Sequence, residues 1–377
     1  MVANHRKKII FQIGALTGGG AERVFLTLLR HLDRGLFEPH LVLLRAEGEF
    51  FCQIPDDVIV HILSGSRRAR TLPGFLLLMW RFVRVIWNIR PRAILSSGGV
   101  NLALLAVTRP VLPRAMRLLV RESSVLSVRL SCESRYPKVW RLVYRCLYRC
   151  IDAVVCQSDS MVEEMTEQFH LPEQKVLRIY NPVDCDRVRE LGRSDANLYS
   201  GAGPHLVAAG RLSIEKGFDL LLAAIPKVIE CLPTVRLTIL GDGPLKAALA
   251  EQVQQHGLTG FVSFVGFQQN PWPYILHGDL LVVPSRREGF SNVLLEALAL
   301  GKPVVAFDSP GAVREIYGKH PAVRLVRAED SAGLAKAIVE RCSETRSEQY
   351  NNEASPNWFA KFAGQQVIGE YNALFLR

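Results

Sequence analysis

The sequence has no hydrophobic run long enough to cross a membrane. Residues 75–80, as long an apolar run as any in the chain, are followed at once by Arg81 and soon after by Arg84, whereas a spanning helix needs about 20 consecutive apolar residues. The basic amino terminus continues into a short apolar run and a polar glycine loop, which is not the pattern of a cleaved secretory signal. We therefore expect a cytoplasmic protein.

Cysteine pairs and metal-binding patterns are also missing. The eight cysteines include no Cys-x-x-Cys pair, and no histidine is spaced to complete a zinc site. Cys146 and Cys150 lie one helical turn apart and could join Cys156 at a metal, but a fourth ligand at a suitable spacing is lacking. We expect reduced thiols, as in cytosolic proteins, and no bound metal.

Acidic residues are scarce in one part of the chain. Residues 64–149 contain 17 Lys and Arg but only two acidic residues, Glu122 and Glu133, so this segment has a net charge of +15. Residues 191–377 contain 18 residues of each sign, and the net charge of +10 therefore belongs to the first half of the chain. An excess of this kind indicates an anionic partner.

Two anionic partners fit the basic segment, a membrane surface and a nucleic acid. No nucleic-acid-binding motif is present, while the stretch at 75–89, rich in Leu and Trp, is apolar enough to enter a lipid interface. We therefore predict a peripheral contact with an anionic membrane and no nucleic acid. The alternative is an internal helix with arginines solvated on one face. The residues assigned to the membrane contact are Arg67, Arg68, Arg70, Trp80, Arg81, Arg84 and Trp87.

The chain alternates apolar strand patterns with amphipathic helix patterns. It opens with a strand at 7–14, a glycine loop at 16–20 and a helix from Ala21, which is the start of a doubly wound sheet. The loop lacks the dinucleotide-binding pattern Gly-x-Gly-x-x-Gly. Its glycines either bring the backbone close to a ligand or form a tight turn without one.

These patterns predict two doubly wound α/β domains. The first is expected to contain strands at 7–14, 40–45, 58–63, 93–96, 116–121, 152–156 and 176–180. The second is expected to contain strands at 205–210, 235–241, 261–265, 279–283, 303–307 and 322–326. The predicted division is a first domain at 1–188, a polar linker at 189–204, a second domain at 205–356 and a final amphipathic helix at 357–377.

One segment, 279–303, has the pattern of strand, loop and helix around a binding site. The polar loop contains Gly289, and the helix begins at Ser291. If Ser291 caps this helix, the unpaired amides of its first turn form a site for a phosphate or diphosphate. Glu288 and Glu296 flank that site, and carboxylates in this place suit the hydroxyls of a sugar or a ribose. The alternative is that both are ordinary solvated acids.

Two cations follow the predicted strand at 205–210. Arg211 and Lys216 lie at the carboxyl end of that strand, which is the edge where doubly wound sheets bind ligands. A guanidinium can hold a diphosphate bidentately, and a lysine can add a point charge. We therefore predict that both stabilise an anionic leaving group, the alternative being that they are solvated surface cations.

The segment EGFSNVLLEALALGKPVVA resembles the retaining glycosyltransferases of family four, which have the GT-B fold. Further similarities occur in the same order as in that family, in the segments 211–216, 241–245 and 265–267. The resemblance covers nearly the whole chain. It implies two Rossmann-like domains that face each other across a cleft, with a final helix that crosses back to the first domain.

The resemblance also implies roles for individual residues. Glu288 would contact the transferred sugar as a catalytic residue, together with Arg211 and Lys216 at the leaving diphosphate. Many relatives have a His after the strand at 116–121, where this chain has Glu122, so Glu122 is the candidate on the acceptor side. The residues implied in donor binding, with Glu296 at the ribose, are Gly19, Gly20, Gly241, Val265, Gly266, Gly289, Phe290, Ser291, Asn292, Val293 and Glu296.

The implied reaction moves a sugar from a nucleotide diphosphate sugar to an acceptor hydroxyl with retention of configuration. UDP is the default nucleotide, and neither a cofactor nor a metal is expected, because the nucleotide sugar is itself a substrate. The acceptor would attack from the front face, and the leaving diphosphate would help to deprotonate it. The basic first domain favours a lipid-linked acceptor in bacterial surface polysaccharide synthesis, such as lipopolysaccharide, O-antigen, capsule or exopolysaccharide, at the inner face of the plasma membrane.

Two other functions fit the same sequence. A nucleotide-sugar epimerase of the same fold would release the nucleotide without an acceptor. A non-catalytic membrane-surface protein would keep the fold without turnover. Hydrolysis of the donor without transfer, or no turnover at all, would distinguish these functions from that of a transferase.

Overall fold

The computed structural model describes residues 6–64, 71–193, 198–199, 203–345 and 356–377. The chain divides into two compact units. The first comprises Met1–Pro182 and Phe362–Arg377, and the second comprises Val183–Lys361. Each unit is built on a parallel β-sheet with flanking helices, which confirms the prediction of two doubly wound α/β domains.

Among the described residues, the first unit contains a seven-stranded parallel sheet in the order β3-β2-β1-β4-β5-β6-β7. Helices cover both faces, so the central strands are buried runs of Ile, Leu and Val. The strands are β1 Lys7–Ile13, β2 Phe37–Arg45, β3 Ile59–Ser64, β4 Ala93–Ser97, β5 Arg117–Arg121, β6 Ala153–Cys156 and β7 Val176–Arg178. The helices, numbered along the whole chain, are α1 Gly20–His31, α2 Leu72–Ile89, α3 Val100–Thr108, α4 Leu126–Glu133, α5 Pro137–Arg149, α6 Asp159–Glu163 and α15 Gly364–Leu376.

The second unit has the same architecture, with six parallel strands in its described part in the order β10-β9-β8-β11-β12-β13. The strands are β8 His205–Ala209, β9 Arg236–Leu240, β10 Val262–Gly266, β11 Leu280–Val283, β12 Val304–Asp308 and β13 Val323–Arg327. The helices are α7 Cys185–Gly192, α8 Phe218–Cys231, α9 Lys246–Gln255, α10 Trp272–His277, α11 Asn292–Ala299, α12 Val313–Tyr317, α13 Ser331–Thr345 and α14 Pro356–Ala360.

Each sheet has a switch point, where the strand order reverses. In the first unit β1 lies between β2 and β4, and in the second unit β8 lies between β9 and β11. The loops that leave the two strands at such a point diverge to opposite faces of the sheet, and the crevice between them is where doubly wound sheets bind ligands. The parts of the chain placed to bind a ligand are therefore the loops after β1 and β4 in the first unit and the loops after β8 and β11 in the second.

The predicted linker, 189–204, overlaps a helix. α7 begins after Asp184, whose side chain accepts a hydrogen bond from the backbone of Arg187 at 3.1 Å. Arg189 Nε donates to the carbonyl of Ala299 in α11 at 3.0 Å, so α7 packs within the second unit. Only two of the eight residues of α7 are buried, which is why its helical period is not visible in the sequence.

The predicted final helix, 357–377, is divided into α14 and α15, and the boundary between the two units falls between them. α15 belongs to the core of the first unit. The ring of Phe375 lies 6.0 Å from that of Phe11 and 5.8 Å from that of Phe37, both in edge-to-face contact. These aromatic contacts fix α15 against the first sheet.

A pair of histidines joins β2 to β3. His40 Nδ1 lies 3.0 Å from His61 Nε2, and the two rings are stacked with their centroids 5.3 Å apart. His40 Nε2 lies 3.0 Å from the Glu38 carboxylate, which is also 3.8 Å from Lys8. Burial lowers the pKa of both histidines. At His40 the Glu38 carboxylate raises the pKa and so offsets part of the effect of burial. At His61 the charge of His40 lowers the pKa further.

The lowered histidine pKa values make stability depend on pH. A histidine whose pKa is lower in the folded state than in the unfolded state stabilises the fold fully above its unfolded-state pKa, which is about 6.5. That contribution to the free energy of unfolding is lost as the pH falls through the folded-state pKa. We expect His61→Gln to reduce the loss of unfolding free energy between about pH 7 and pH 5 by on the order of 1 kcal/mol. Urea unfolding measures this, with His256→Gln, an exposed histidine, as the control. Equal pH slopes for all three proteins would contradict the prediction.

Candidate functional site

The loop between β11 and α11, residues 284–291, is held by contacts to neighbouring loops. The backbone of Glu288 donates to the carbonyl of Pro310 at 3.3 Å. Arg286 forms a two-pronged ion pair with Asp219, with N to O distances of 2.6 and 2.7 Å. Burial alone would raise the pKa of Asp219, but the Arg286 guanidinium lowers it below its usual value, so the pair stays charged.

Two charged side chains meet at the switch point of the second sheet. Lys216, from the loop after β8, places Nζ 2.7 Å from Oε2 of Glu288, from the loop after β11. Ser285 Oγ donates to the same oxygen at 3.0 Å. Within the described part of the chain, the other oxygen of Glu288 accepts no hydrogen bond. This arrangement holds a carboxylate in one orientation and leaves one of its oxygens for a ligand hydroxyl.

The strand-end loops approach each other backbone to backbone, and glycine permits this at Gly217 and Gly241 among others. Gly217, directly after Lys216, has φ +65°, and a Cβ there would lie 2.0 Å from the carbonyl oxygen of Pro284. Gly241, after β9, has φ +134°, and a Cβ there would lie 1.9 Å from the carbonyl oxygen of Gly210. Side chains at Gly217 or Gly241 would push the loops apart.

Glu296, the second predicted carboxylate, is buried in α11 and hydrogen-bonded. Trp272 Nε1, from the first turn of α10, donates to Glu296 Oε2 at 2.9 Å. This indole is a functional neighbour that sequence reasoning missed. Its signal was a tryptophan between two prolines, at 271–273, before a short helix, and nothing in that pattern indicates a carboxylate partner in another helix.

Ser291 directly precedes α11 as its N-cap residue, but its side chain does not cap the helix as predicted. Its hydroxyl is buried and has no hydrogen-bond partner among the described residues. The carbonyl of Ser291 instead accepts a hydrogen bond from the buried hydroxyl of Tyr317 in α12 at 2.9 Å. The amides of the first turn have no acceptor within the helix, because helix geometry provides none, so the end of α11 can still bind an anion.

The other predicted donor residues of the second unit lie at or near the carboxyl ends of its strands. Arg211 follows β8 and is exposed, while Val265 and Gly266 end β10. Gly266 has φ +74°, and a Cβ there would have no atom within 4 Å, while the Val265 carbonyl accepts from Gln268 Nε2 at 2.9 Å. The predicted donor residues in the loop before α11 and in its first turn are Gly289, Phe290, Asn292 and Val293.

The predicted donor residues Gly19 and Gly20 lie in the first unit, where they start α1. Gly20 is the first residue of the helix, and Gly19 precedes it as the N-terminal cap without a side-chain hydrogen bond. A Cβ on Gly19 would lie 2.3 Å from the carboxylate of Glu22. The glycine at this position lets the Glu22 side chain fold back over the start of the helix.

Glu122, the predicted acceptor-side residue, is only 1% exposed. The hydroxyl of Tyr148 in α5 donates to its carboxyl group at 2.6 Å. Burial raises the pKa of Glu122, which the Tyr148 hydrogen bond partly opposes. This geometry differs from the expectation that Glu122 faces an acceptor. Its side chain holds α5 to the end of β5.

The residues predicted to contact a membrane lie on α2 or outside the described residues. Trp80 is 56% exposed, and Trp87 is exposed as well. The guanidinium of Arg84 lies 5.4 Å from the centre of the Trp80 ring, whereas Arg81 donates to the carbonyl of Leu63 at 2.9 Å and fixes α2 to β3. The residues outside the described part are Arg67, Arg68 and Arg70.

α5 carries an exposed apolar surface that the sequence reasoning did not assign. Val139, Trp140 and Leu142 are exposed, and Lys138, Arg141, Arg145 and Arg149 supply cations along the same helix. The repeat of basic and apolar residues at 137–149 was the signal that could have found it. None of the helices in the described residues is both long and apolar enough to cross a bilayer.

No described group of three or more His, Cys, Asp or Glu side chains is placed to hold a metal ion. The chain does contain an Asp-x-Asp sequence, at 184–186. Its first residue, Asp184, caps α7 by accepting a hydrogen bond from the backbone of Arg187. Metal independence stays a prediction.

Two family models match the chain. The model described as Glycosyltransferase Family 4 matches residues 18–187, and the model described as Glycosyl transferases group 1 matches residues 203–344. The second match lies within the second unit, and the first lies in the first unit apart from its last five residues, 183–187. Together they cover most of the chain, including the carboxyl-end loops of both sheets.

Curated relatives and solved structures agree with these matches. An N-acetylgalactosamine-N,N'-diacetylbacillosaminyl-diphospho-undecaprenol 4-alpha-N-acetylgalactosaminyltransferase of Campylobacter jejuni is 26% identical over 92% of this chain and 94% of its own length. The lipopolysaccharide core biosynthesis glycosyltransferase LpsD of Rhizobium meliloti is 26% identical over 96% of each chain. HepE of Anabaena, solved in complex with UDP-glucose, has the same fold, with a TM-score of 0.79, 21% identity and coverage of 98% of this chain and 100% of its own.

Gly217→Ala is expected to destabilise the second unit by at least about 2 kcal/mol, because it adds a backbone clash to a strained φ. The control is Gly257→Ala. Gly257 has φ +66° but no atom within 4 Å of a Cβ, so only the conformational cost of about 1 kcal/mol applies. Thermal unfolding of both variants measures the difference. Equal losses at the two positions would show that the approach to Pro284 is unimportant.

Proposed function

The chain belongs to the glycosyltransferases of group 1 and family 4, and we propose that it transfers a sugar from a nucleotide diphosphate sugar to a lipid-linked acceptor. We propose further that the nucleotide is UDP and that the sugar keeps its anomeric configuration. Such an enzyme is a hexosyltransferase that requires no metal. The acceptor is an intermediate in the assembly of a bacterial surface polysaccharide. The observation that carries the proposal is the Lys216–Glu288 pair at the switch point of the second sheet.

In the proposed donor site, Glu288 accepts hydrogen bonds from hydroxyls of the transferred sugar. Its free oxygen is oriented for this because Lys216 and Ser285 hold the other one. Lys216 has three N–H donors, so while one binds Glu288 the others can bind a diphosphate oxygen. Lys216 would thus contact both the carboxylate that binds the sugar and the leaving diphosphate, and so fix the position of one relative to the other.

The glycosidic bond between the sugar and the diphosphate breaks as negative charge develops on the diphosphate. Arg211, Lys216 and the first amides of α11 stabilise that charge, which is the largest contribution expected from a site of this kind. The acceptor oxygen forms the new bond on the same face of the sugar, and its proton goes to a diphosphate oxygen. The products are the glycosylated acceptor and the nucleoside diphosphate.

Glu296 is proposed to bind the ribose diol of the nucleotide. Its carboxylate is fixed by Trp272 at one oxygen, which sets the direction of the other. A carboxylate that accepts two vicinal hydroxyls discriminates a ribose from groups without a diol. UDP is supported by the Anabaena neighbours solved with UDP and with UDP-glucose.

A lipid-linked acceptor is supported by two features. The Campylobacter jejuni relative is named for a diphospho-undecaprenol acceptor, and the Rhizobium meliloti relative for lipopolysaccharide core biosynthesis. The basic first unit exposes Trp80 on α2 and Trp140 on α5 with cations beside them. We place the membrane contact there, on the cytoplasmic side, where anionic lipids attract Lys and Arg at about 1 kcal/mol each.

The donor site is tested with UDP, GDP, ADP and dTDP sugars, first by thermal shift and then by transfer to an undecaprenyl diphosphate-linked sugar. We expect Glu288→Gln to lower turnover by roughly a hundredfold while the affinity for UDP is kept, because Glu288 acts on the sugar. Glu296→Gln should weaken UDP binding, because it acts on the ribose. Calorimetry with UDP separates the two, and equal binding losses would contradict the assignment.

The leaving-group role has a matched control. Lys216→Ala should lower turnover by roughly a hundredfold, whereas Lys227→Ala, which removes an exposed lysine of α8, should leave it unchanged. A chelator should have no effect on the wild-type rate. Donor hydrolysis without transfer, or no turnover with any donor, would favour an epimerase or a non-catalytic protein instead.

The membrane contact is tested by sedimentation with vesicles of phosphatidylglycerol. We expect binding that falls between 0.1 M and 1 M salt, because the screening length drops from about 10 Å to about 3 Å. Replacing Trp80 and Trp140 together with Ser should weaken binding further, while Leu36→Ser, an exposed residue in the first unit, should not. Binding that ignores both salt and the double substitution would contradict the membrane proposal.

A further inference from the structure

The turn that carries Lys216 has little hydrophobic packing to hold it. It is a single helical turn, Ile214–Lys216, between β8 and α8. Its three residues are all at least partly exposed, and Ile214 is 55% exposed. A segment with few buried apolar contacts opens at a low free-energy cost unless other bonds hold it. Lys216 therefore depends on polar contacts to keep its place relative to Glu288.

Arg286 supplies polar contacts of this kind from the loop that contains Glu288. Its Nη1 donates to the carbonyl of Ile214 at 2.9 Å. Its backbone amide donates to the carbonyl of Glu215, also at 2.9 Å. Arg286 lies two residues before Glu288 in the chain. One residue thus ties the turn of Lys216 to the loop of Glu288.

The Arg286 side chain is itself fixed by carboxylates from two other elements. Asp219, in the first turn of α8, accepts from both of its terminal nitrogens, at 2.6 and 2.7 Å. Glu329, which follows β13, places Oε2 3.7 Å from Arg286 Nε. A guanidinium holds its N–H donors in a rigid planar fork, so one side chain can bond the Ile214 carbonyl and Asp219 at the same time. Arg286 therefore connects the loops after β8, β11 and β13 at one point.

Arg286 is not placed to bind a diphosphate directly. Its guanidinium nitrogens already have protein partners, since Nη1 contacts Ile214 and Asp219, Nη2 contacts Asp219, and Nε lies near Glu329. Its side chain is 17% exposed. A phosphate would have to displace the Asp219 carboxylate, which would then lose the partner of a partly buried charge. The effect of Arg286 is therefore on the positions of other side chains.

The geometry that Arg286 controls is that of the Lys216–Glu288 pair, whose atoms lie 2.7 Å apart. A displacement of about 1 Å in groups that align a substrate can cost roughly a hundredfold in rate. We propose that Arg286 is a positioning residue of the transfer reaction, which acts by holding the turn of Lys216 and the loop of Glu288 in one fixed arrangement. This inference rests on the proposed function and deepens it.

The first test uses the full chain and needs no substrate. Arg286→Met removes the guanidinium and keeps an unbranched stem. Arg324→Met is the matched control, because Arg324 also pairs with two carboxylates, both on α13, but lies away from the site in β13. We expect amide hydrogen exchange in the segments 213–217 and 284–291 to be roughly tenfold faster in Arg286→Met and unchanged in Arg324→Met. Equal exchange in the wild type and both variants would overturn the proposal.

The second test separates turnover from nucleotide binding. Arg286→Met should lower turnover by roughly tenfold to a hundredfold. The affinity for UDP, measured by calorimetry, should change by less than about threefold, because Glu296 still binds the ribose. Arg286→Lys keeps the charge and should recover part of the lost turnover, while Arg324→Met should be unaffected. A loss of UDP affinity as large as the loss of turnover would contradict a positioning role.

A combined variant tests whether Arg286 acts through Glu288. In Arg286→Met with Glu288→Gln, the loss of turnover should be smaller than the product of the two single losses, because Arg286 has less left to position. Losses that multiply would show that Arg286 acts on turnover independently of Glu288, and would overturn the proposal.

The outcomes also separate this inference from the proposed function. If the wild type transfers sugar and Arg286→Met does so at the same rate, the proposed function stands and the positioning role fails. If the wild type transfers sugar from no donor, the proposed function fails, and hydrogen exchange alone decides whether Arg286 holds the two segments. If Arg286→Met does not fold, Asp219→Asn weakens the same contact from the other side and replaces it in every measurement.

Discussion

The parallel pairing of β8 with β11 is the constraint on which the candidate site depends. It brings the loop of Lys216 against the loop of Glu288, and the two strands register at their first residues. Gly217 then permits the backbones to touch at Pro284. An ion pair that is partly exposed adds little to stability. Its effect is on orientation, because it fixes both the direction of a carboxylate and the position of a cation.

The two units use the same architecture differently. In the second unit the two carboxylates at the ligand-binding edge have protein partners, since Glu288 has Lys216 and Glu296 has Trp272, whereas the buried hydroxyl of Ser291 has none among the described residues. In the first unit several polar atoms at the corresponding edge have none in the described residues, with Gln12 and Asn101 as the clearest cases. A paired edge is organised before its ligand arrives, whereas an unpaired edge gains its hydrogen bonds only when a ligand or water is bound.

The sequence predicts the strands well because helices cover both sheets and the central strands are buried apolar runs. Each predicted strand begins and ends within a few residues of its observed bounds. Glu288 and Lys216 stay predicted site residues; the sequence does not predict that they bond each other, since they are 72 residues apart. Contacts of that range depend on strand order, which periodicity does not reveal. Trp272 was missed for the same reason. Glu122 was misjudged because its burial is set by Tyr148, in a helix that follows it in the chain.

The position of α15 has a consequence for how the protein is made. The first unit needs Phe375 to complete its aromatic core around Phe11 and Phe37, yet the whole of the second unit, Val183–Lys361, lies between these residues in the chain. During synthesis the ribosome therefore finishes the second unit before it releases the last helix of the first. Domains tend to fold as units as they emerge, so the first unit, although it is translated first, cannot complete its core until α15 has been made. Until then the apolar surface that α15 covers is exposed and can bind a chaperone.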